Sequence, residues 1–311
     1  MDTNALHFKI ISDPQEAKKM WEAFSPHKRI DDEWDFRDIW TEELQFPFHF
    51  IAGYKNEQLI GLMPLQQNTG KGLGATYLQM QTPFLEFFGG IDIDDTQIWV
   101  VPGYEDTIKD FLKQIKTPAI LSYLKDPYEV RSIKAEPYID RFELDLKKFE
   151  NIQDFMQKNL DGKSRQRLIN RINKIKKNYE VTIKECTASE LPLLYKLSIQ
   201  RFGERSSFNL TQRQHVLEAF LKRFNVDLFA IELDGKIAAM SYGIIFNNTY
   251  TTMTIGYDIT IRDLSKYLII TQLERAMEKG CTLFDAGKGD NGWKSHFNFQ
   301  KIPQYKLLLN I

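Results

Sequence analysis

His49-Phe50-Ile51-Ala52, running through Asn56 to Gly61, and Asp227-Leu228-Phe229-Ala230, running through Asp234 to Ala239, are the two stretches on which the fold turns. Each is an apolar run that meets a short polar turn and returns as a second apolar run, the pattern of a β-hairpin. Lys55-Asn56-Glu57 makes the first turn and Asp234-Gly235 the second. The stretches superpose position by position, and similar elements recur around them. The chain therefore reads as two copies of one mixed α/β unit.

In the first half, a strand at 6–11 leads into a helix at 13–24, with Asp13 as its cap and Pro14 in its first turn. A second helix lies near 34–44. The spacing then predicts strands at 48–54 and 59–66, a further hairpin near 69–74, a helix at 104–116 and strands at 119–124 and 138–146. In the second half, a strand at 180–185 precedes helices at 188–202 and 212–224. Strands at 227–233, 236–246 and 249–257, a helix at 265–279, a strand at 282–286, a short helix near 292–297 and a strand at 305–310 follow. The expected domains are 1–150 and 151–311.

Between the halves, residues 158–177 carry Lys158, Lys163, Arg165, Arg167, Arg171, Lys174, Lys176 and Lys177 against the single acid Asp161. At helical spacing Leu168, Ile172 and Ile175 form an apolar stripe, with Arg167, Arg171 and Lys174 as a basic stripe beside it. This is a packed helix with one cationic face. That face suits tRNA, a phosphorylated or lipid-linked acceptor or peripheral contact with an anionic membrane; a solvated face is the plainer alternative.

The 311 residues are 42% hydrophobic and 27% charged, which excludes disorder and fibrous repeats. With 41 basic and 42 acidic residues the net charge is -1, so no global field draws the chain to DNA, and any polyanion site must be local. Apolar runs such as 238–245 fall short of the roughly 18 residues of a membrane span. Residues 1–11 carry Asp2 and lack the basic lead and apolar block of a signal peptide, so a cytoplasmic location is expected. Cys186 and Cys281 form no C-x-x-C pair, and His7, His27, His49, His215 and His296 show no ligand spacing, so no metal is expected.

Residues 251–280 follow the order strand, loop, helix and strand entry. Thr282-Leu283-Phe284-Asp285-Ala286-Gly287 is then followed by Gly289-Asp290, Trp293-Lys294 and Phe297. On these residues the chain resembles the GNAT acyltransferase superfamily, and within it the two-domain branch of CelD-like acetyltransferases and Fem-type peptidyltransferases. The resemblance covers nearly all of the chain. It implies two tandem GNAT-like mixed-sheet α/β domains, the first degenerate, with the catalytic cleft in the second half or at the junction. It also implies acyl transfer from acyl-CoA to an amine-bearing small-molecule or lipid- or sugar-linked acceptor, such as a cell-envelope or polysaccharide precursor. Fem-type relatives accept aminoacyl-tRNA instead. A non-catalytic binding protein on the same scaffold is the third reading.

In the family the donor's pyrophosphate rests on backbone N–H groups at a helix start, where the dipole is positive, in a loop reading Q/R-x-x-G-x-G/A. Here that register gives Arg262-Asp263-Leu264-Ser265-Lys266-Tyr267. Arg262 is kept, Ser265 and Lys266 are placed to hold phosphate, and Tyr267 is expected to crowd its approach; Ser265 as a simple helix cap is the alternative. Trp293 stands where relatives often have tyrosine and marks the substrate side. Its indole cannot protonate a departing thiolate, which leaves Tyr257 or water.

Asp285 and Asp290 are candidates for the base or for amine binding, against an Asp285–Lys294 ion pair and a turn-forming role for Asp290. His296 is a lesser candidate for the base. Arg201 and Glu204 are read as acceptor contacts, against a solvated helix end. Glu86, in the aromatic run from Pro83 to Gly90, is a carboxylate in apolar company and a candidate for acceptor binding, against a role in the core. Gly70-Lys71-Gly72-Leu73-Gly74 resembles a phosphate loop, but no helix follows it, so a hairpin turn is expected there.

Overall fold

Both hairpin turns place consecutive residues in the left-handed region, Asn56 and Glu57 at φ +52° and +59°, Asp234 and Gly235 at +50° and +73°. Such turns match the twist of the flanking strands. The two hairpins also share a register shift at equivalent positions, between Gly53 and Tyr54 and between Ile231 and Glu232. The computed structural model describes residues 6–69, 82–90, 93–125, 133, 135–290 and 292–311. It divides the chain into two units, Met1–Arg141 with Ile302–Ile311, and Phe142–Lys301. The hairpin expected near 69–74 and the glycine-rich turn at 70–74 lie outside the described residues.

The first unit runs β1 (His7–Ile11), α1 (Pro14–Phe24), α2 (Trp34–Leu44), β2 (Phe50–Lys55), β3 (Gln58–Met63), β4 (Leu65–Asn68), β5 (Phe84–Phe87), β6 (Trp99–Val100), α3 (Ile108–Gln114), β7 (Ala119–Leu124) and β8 (Glu136–Pro137). The single strand expected at 59–66 is broken at Pro64, which has no N–H to give a ladder. Before it, β3 belongs to a sheet ordered β1-β2-β3-β6. After it, β4 belongs to a sheet ordered β4-β5-β7-β16-β8, in which β16 is Tyr305–Leu309. The sequence placed this last strand in the second domain. It pairs instead with β7 and β8 of the first unit, where Leu307 joins the cluster containing Leu121 and Leu124.

The second unit runs β9 (Arg141–Asp145), α4 (Ile152–Asn159), α5 (Gly162–Asn178), β10 (Val181–Glu185), α6 (Leu191–Phe202), α7 (Thr211–Arg223), β11 (Val226–Leu233), β12 (Lys236–Phe246), β13 (Thr249–Tyr257), α8 (Leu264–Glu278), β14 (Leu283–Lys288), α9 (Trp293–His296) and β15 (Gln300–Ile302). Its sheet is ordered β10-β11-β12-β13-β14-β9-β15. Strands β10 to β13 form an antiparallel meander, and β13 then pairs parallel with β14. A parallel neighbour needs a crossover, which α8 supplies. β5 and β7 of the first unit are likewise parallel.

The basic segment is two helices, not one. Lys158 closes α4, paired with Asp154 at 2.7 Å, and α5 starts afresh with Asp161 as cap, accepting from the amides of Lys163 and Ser164. Leu168 and Ile175 are buried and Ile172 packs beside them, as the stripe predicts. The 17 residues of α5 carry no acid against seven cations. Among the described residues no helix is long and apolar enough to cross a membrane.

α8 is fixed by polar anchors as well as by its apolar face. Arg275 grips Asp227 of β11 through Nε at 3.1 Å and Nη2 at 2.5 Å, and the Tyr250 hydroxyl donates to the same carboxylate at 3.1 Å. One turn earlier, Gln272 Nε2 donates to Ser241 Oγ of β12 at 2.6 Å. These bonds set the helix register and so the position of its N-terminus.

On the other side of β13, α6 approaches at Gly256. A Cβ there would stand 2.8 Å from Leu197 Cβ and 3.0 Å from the Leu194 carbonyl. Gly256→Ala is expected to destabilise the protein by about 2 kcal/mol through overpacking. Chemical denaturation checks it, and an unchanged midpoint would mean that α6 yields freely.

Candidate functional site

β13 and β14 pair at only three positions, Thr249 with Leu283, Tyr250 with Phe284 and Thr251 with Asp285, and then part. One residue beyond, Thr252 Oγ1 is buried with no hydrogen-bond partner among the described residues. On the other edge of β13 the ladder skips Met253, since Tyr242 pairs with Thr254 and Gly243 with Thr252. The bulge turns the strand just where its neighbour leaves.

Beside the diverging strand is a cleft of about 370 Å³. Ile255 and Tyr257 reach it from β13 and, two residues apart, share one face of the strand. Ser265 and Ile269 of α8 are four residues apart and share a helix face, with Lys266 beside them. Arg171 comes from α5, Arg201 from the end of α6, and Trp293, His296 and Phe297 from α9 and its end. The lining joins an apolar floor to three cations and contains no carboxylate among the described residues. The Arg201 guanidinium lies 4.7 Å from the Tyr257 ring centroid and 4.5 Å from that of Phe202, which fixes its place by cation–π contact.

A second cleft of about 410 Å³ lies on the other flank of the loop before α8, lined by Arg171, Lys174 and Asn178 of α5 and by residues 260–263. Arg171 belongs to both clefts. Arg262, 87% exposed, opens onto the second. The cationic stripe of α5 is thus turned in part toward this loop.

The cap of α8 is Asp263, not Ser265. It adopts φ +65° and makes no side-chain capping bond. Its carboxylate instead takes Lys266 Nζ at 3.0 Å, Arg171 Nη1 at 3.5 Å and Arg262 Nε at 3.6 Å. Tyr267 does not crowd the cleft. It lies two residues, about 200° of helix rotation, from both Ser265 and Ile269. Its ring is buried with Phe229, Ile231 and Leu268, with Lys176 Nζ 5.6 Å from the centroid. Burial pushes its phenol up.

The closing motif is a set of turn locks. Asp285 is fully buried, and its Oδ1 accepts the Gly287 amide at 2.9 Å. Lys294, 5% exposed, donates to the carbonyls of Gly287 at 2.9 Å and Lys288 at 2.8 Å. Asp290 accepts the amides of Gly292 at 2.7 Å, Lys294 at 3.2 Å and Ser295 at 3.3 Å, and the Ser295 hydroxyl. Slight burial works against its charge, but the Ser295 hydroxyl and these amides outweigh it and hold the carboxyl below its usual range. Asp290, two residues before the Gly292 cap position of α9, braces the start of that helix through its side chain.

Two other sequence candidates stand elsewhere. Glu204 is exposed on the short turn Gly203–Arg205 and does not line the cleft. Glu86 is buried in the first unit, where its Oε1 accepts from Gln66 at 3.0 Å and Asn68 at 3.1 Å. Conversely, Ile255 and Ile269 line the cleft although no motif marks them, and Arg171 enters it from the basic stripe. The signals were present: Arg171 in the basic stripe, Ile255 in alternation with Tyr257, and Ile269 one turn after Ser265.

Residues 162–295 match the family model described as an acetyltransferase (GNAT) domain. Among solved structures, the chain is similar to FemX at 12% identity, with 98% of each chain covered and a TM-score of 0.60. It is similar to L-PGS from Bacillus licheniformis at 13% identity, covering 95% of this chain and 91% of that one, with a TM-score of 0.58. A tandem GNAT protein from the clavulanic acid biosynthesis pathway matches at 11% identity over 98% of each chain, with a TM-score of 0.56. At such identities the likeness is one of fold. No curated protein matches the chain by sequence.

The brace at Asp290 has a pH signature. Its lowered folded pKa makes its contribution complete above the unfolded carboxylate value near 4 and lost as pH falls through the folded value. Asp290→Asn should cost about 1 kcal/mol at neutral pH and less at pH 3. Equal losses at both pH values in urea titrations would show that the charge is not what braces the helix.

Proposed function

We propose that the chain is an acyltransferase that moves an acyl group from a CoA-type thioester to an amine held in the cleft of the second unit; the match of residues 162–295 to the acetyltransferase (GNAT) domain model and the likeness in fold to a tandem GNAT protein support this reading. The observation that carries this reading is the parting of β13 from β14 beside the N-terminus of α8. The unladdered edge of β13 offers donors and acceptors for the amides of a pantetheine arm. The first turn of α8, with Ser265, Lys266 and Arg171, suits the phosphates.

The chemistry follows from what lines the cleft. The amine must lose a proton as it attacks the thioester carbonyl, and the departing sulfur must gain one. The imidazole of His296 and the phenol of Tyr257 are the lining groups able to move those protons. Unladdered N–H groups of β13 suit the carbonyl oxygen as it gains charge. Ile255, Ile269, Trp293 and Phe297 keep water from the thioester. Asp285 and Lys294 act by holding the end of β14. The first unit serves as a scaffold, since its α3 has 7 residues where α8 has 15. An amine on a cell-envelope or polysaccharide precursor is the acceptor the resemblance favours.

A second reading, aminoacyl transfer from tRNA, is favoured by one observation: the acid-free helix α5 turns Arg171 and Lys174 toward the same loop. CoA at about 100 times its Kd should stabilise the protein by about 2.7 kcal/mol, and Lys266→Glu should remove most of that. Asp285→Asn should lower turnover at least tenfold with the fold retained. No melting shift with millimolar CoA, together with salt-sensitive binding of charged tRNA, would overturn the CoA donor in favour of the tRNA reading.

A further inference from the structure

An aspartate that begins a helix ordinarily turns its side chain back onto the first-turn amides. Asp263 does not. Its left-handed backbone, which Asp and Asn tolerate better than most residues, carries the carboxylate away from the helix and into a ring of cations. Those cations come from three places: Arg171 on α5, Arg262 in the loop and Lys266 in the first turn of α8. All three lie within 3.6 Å of one carboxylate whose side chain is only 16% exposed. Arg171 and Lys266 are also the cations that reach the acyl-transfer cleft from this side.

We propose that Asp263 is a specificity-determining residue, an internal anion that occupies among Arg171, Arg262 and Lys266 the place a donor's phosphate oxygen takes, and that thereby weakens binding of pyrophosphate groups. This rests on the acyl-CoA reading of the cleft. The family loop has no fixed residue at this position, so the sequence pattern alone would not mark it. Its effect is selective. Inorganic pyrophosphate or a nucleoside triphosphate brings negative charge and must displace the carboxylate with nothing in return. A CoA thioester meets the same repulsion, but its pantetheine arm gains the unladdered edge of β13. The carboxylate therefore filters out phosphate compounds that lack the arm.

The test is Asp263→Asn, which removes the charge while keeping the shape and the tolerance for φ +65°. CoA and inorganic pyrophosphate are titrated against parent and variant by calorimetry, with pantetheine as a probe free of phosphate. The variant should bind CoA about tenfold tighter and pyrophosphate tighter by at least as much, with pantetheine affinity unchanged. Unchanged pyrophosphate affinity would overturn the proposal. Weaker binding would overturn it too, by showing that Asp263 orients the cations rather than competing for them. If neither protein binds CoA, the donor reading fails, while the pyrophosphate titration still decides the role of Asp263. Asp263→Gly, which also accepts the left-handed backbone, serves if the Asn variant does not fold.

Discussion

β13 cannot serve two neighbours along its whole length, and the second unit is arranged around that constraint. Its β12 edge is laddered nearly end to end, whereas its β14 edge is laddered only to Thr251. β14 is drawn the other way, because its far side lies against β9 and its end is tied down by Lys294 bonding the carbonyls of Gly287 and Lys288. Gly287 and Gly289, at φ +69° and +71°, allow the sharp turn that brings Lys294 back. The fully buried Asp285 stands at the last paired position and braces that turn by accepting the Gly287 amide. An open strand edge inside a protein is costly unless something bonds it. The fold maintains one here through side chains that bond the backbone at the end of β14, with Lys294 also seated over the rings of Phe142 and Trp293.

The second requirement is that α8 begin beside that edge. Its apolar face alone would allow the helix to slide, since apolar packing is not directional. Arg275 on Asp227 and Gln272 on Ser241 remove that freedom. A buried ion pair is weak evidence of stability, because desolvation offsets much of its attraction. Its value here is in register: a slip of one residue would rotate Ser265 and Ile269 by about 100° out of the cleft and bring Tyr267 round toward it.

What could be read from the residues alone follows from how local each cause is. The two superposable hairpins, the α5 stripe and the strand–helix–strand order around α8 depend on neighbouring residues, and the structure has them where the pattern put them. The pairing of β16 in the first unit depends on partners nearly two hundred residues away, and nothing in its own five residues names them. Pro64 was visible, but a proline in an apolar run does not say that the halves go to different sheets. Of the residues that line the cleft, Tyr257, Ser265, Lys266, Arg201 and Trp293 are also candidates in the sequence reading. The orientation of Tyr267 was open to simple helical rotation. For Asp290 the residues left a turn-forming role and a base both open, because in sequence each is a carboxylate among glycines.

The cleft's charge bears on how an amine could react there. On the proposed acyl-CoA reading, Arg171, Arg201 and Lys266 line it without a carboxylate among the described residues, and although Asp263 offsets part of the charge of Arg171 and Lys266, the positive surrounding that remains disfavours an ammonium ion. An acceptor that enters is therefore pushed toward its neutral, nucleophilic form by the site itself. That removes most of the work a carboxylate base would do and leaves His296 or water to carry the proton away. On that reading the same charge repels a protonated acceptor and attracts the donor's phosphates. Donor before acceptor is thus the order the electrostatics favour, and initial-rate patterns of random addition would contradict it. In this order Asp263 acts earliest, because it determines which phosphate compounds complete the first step.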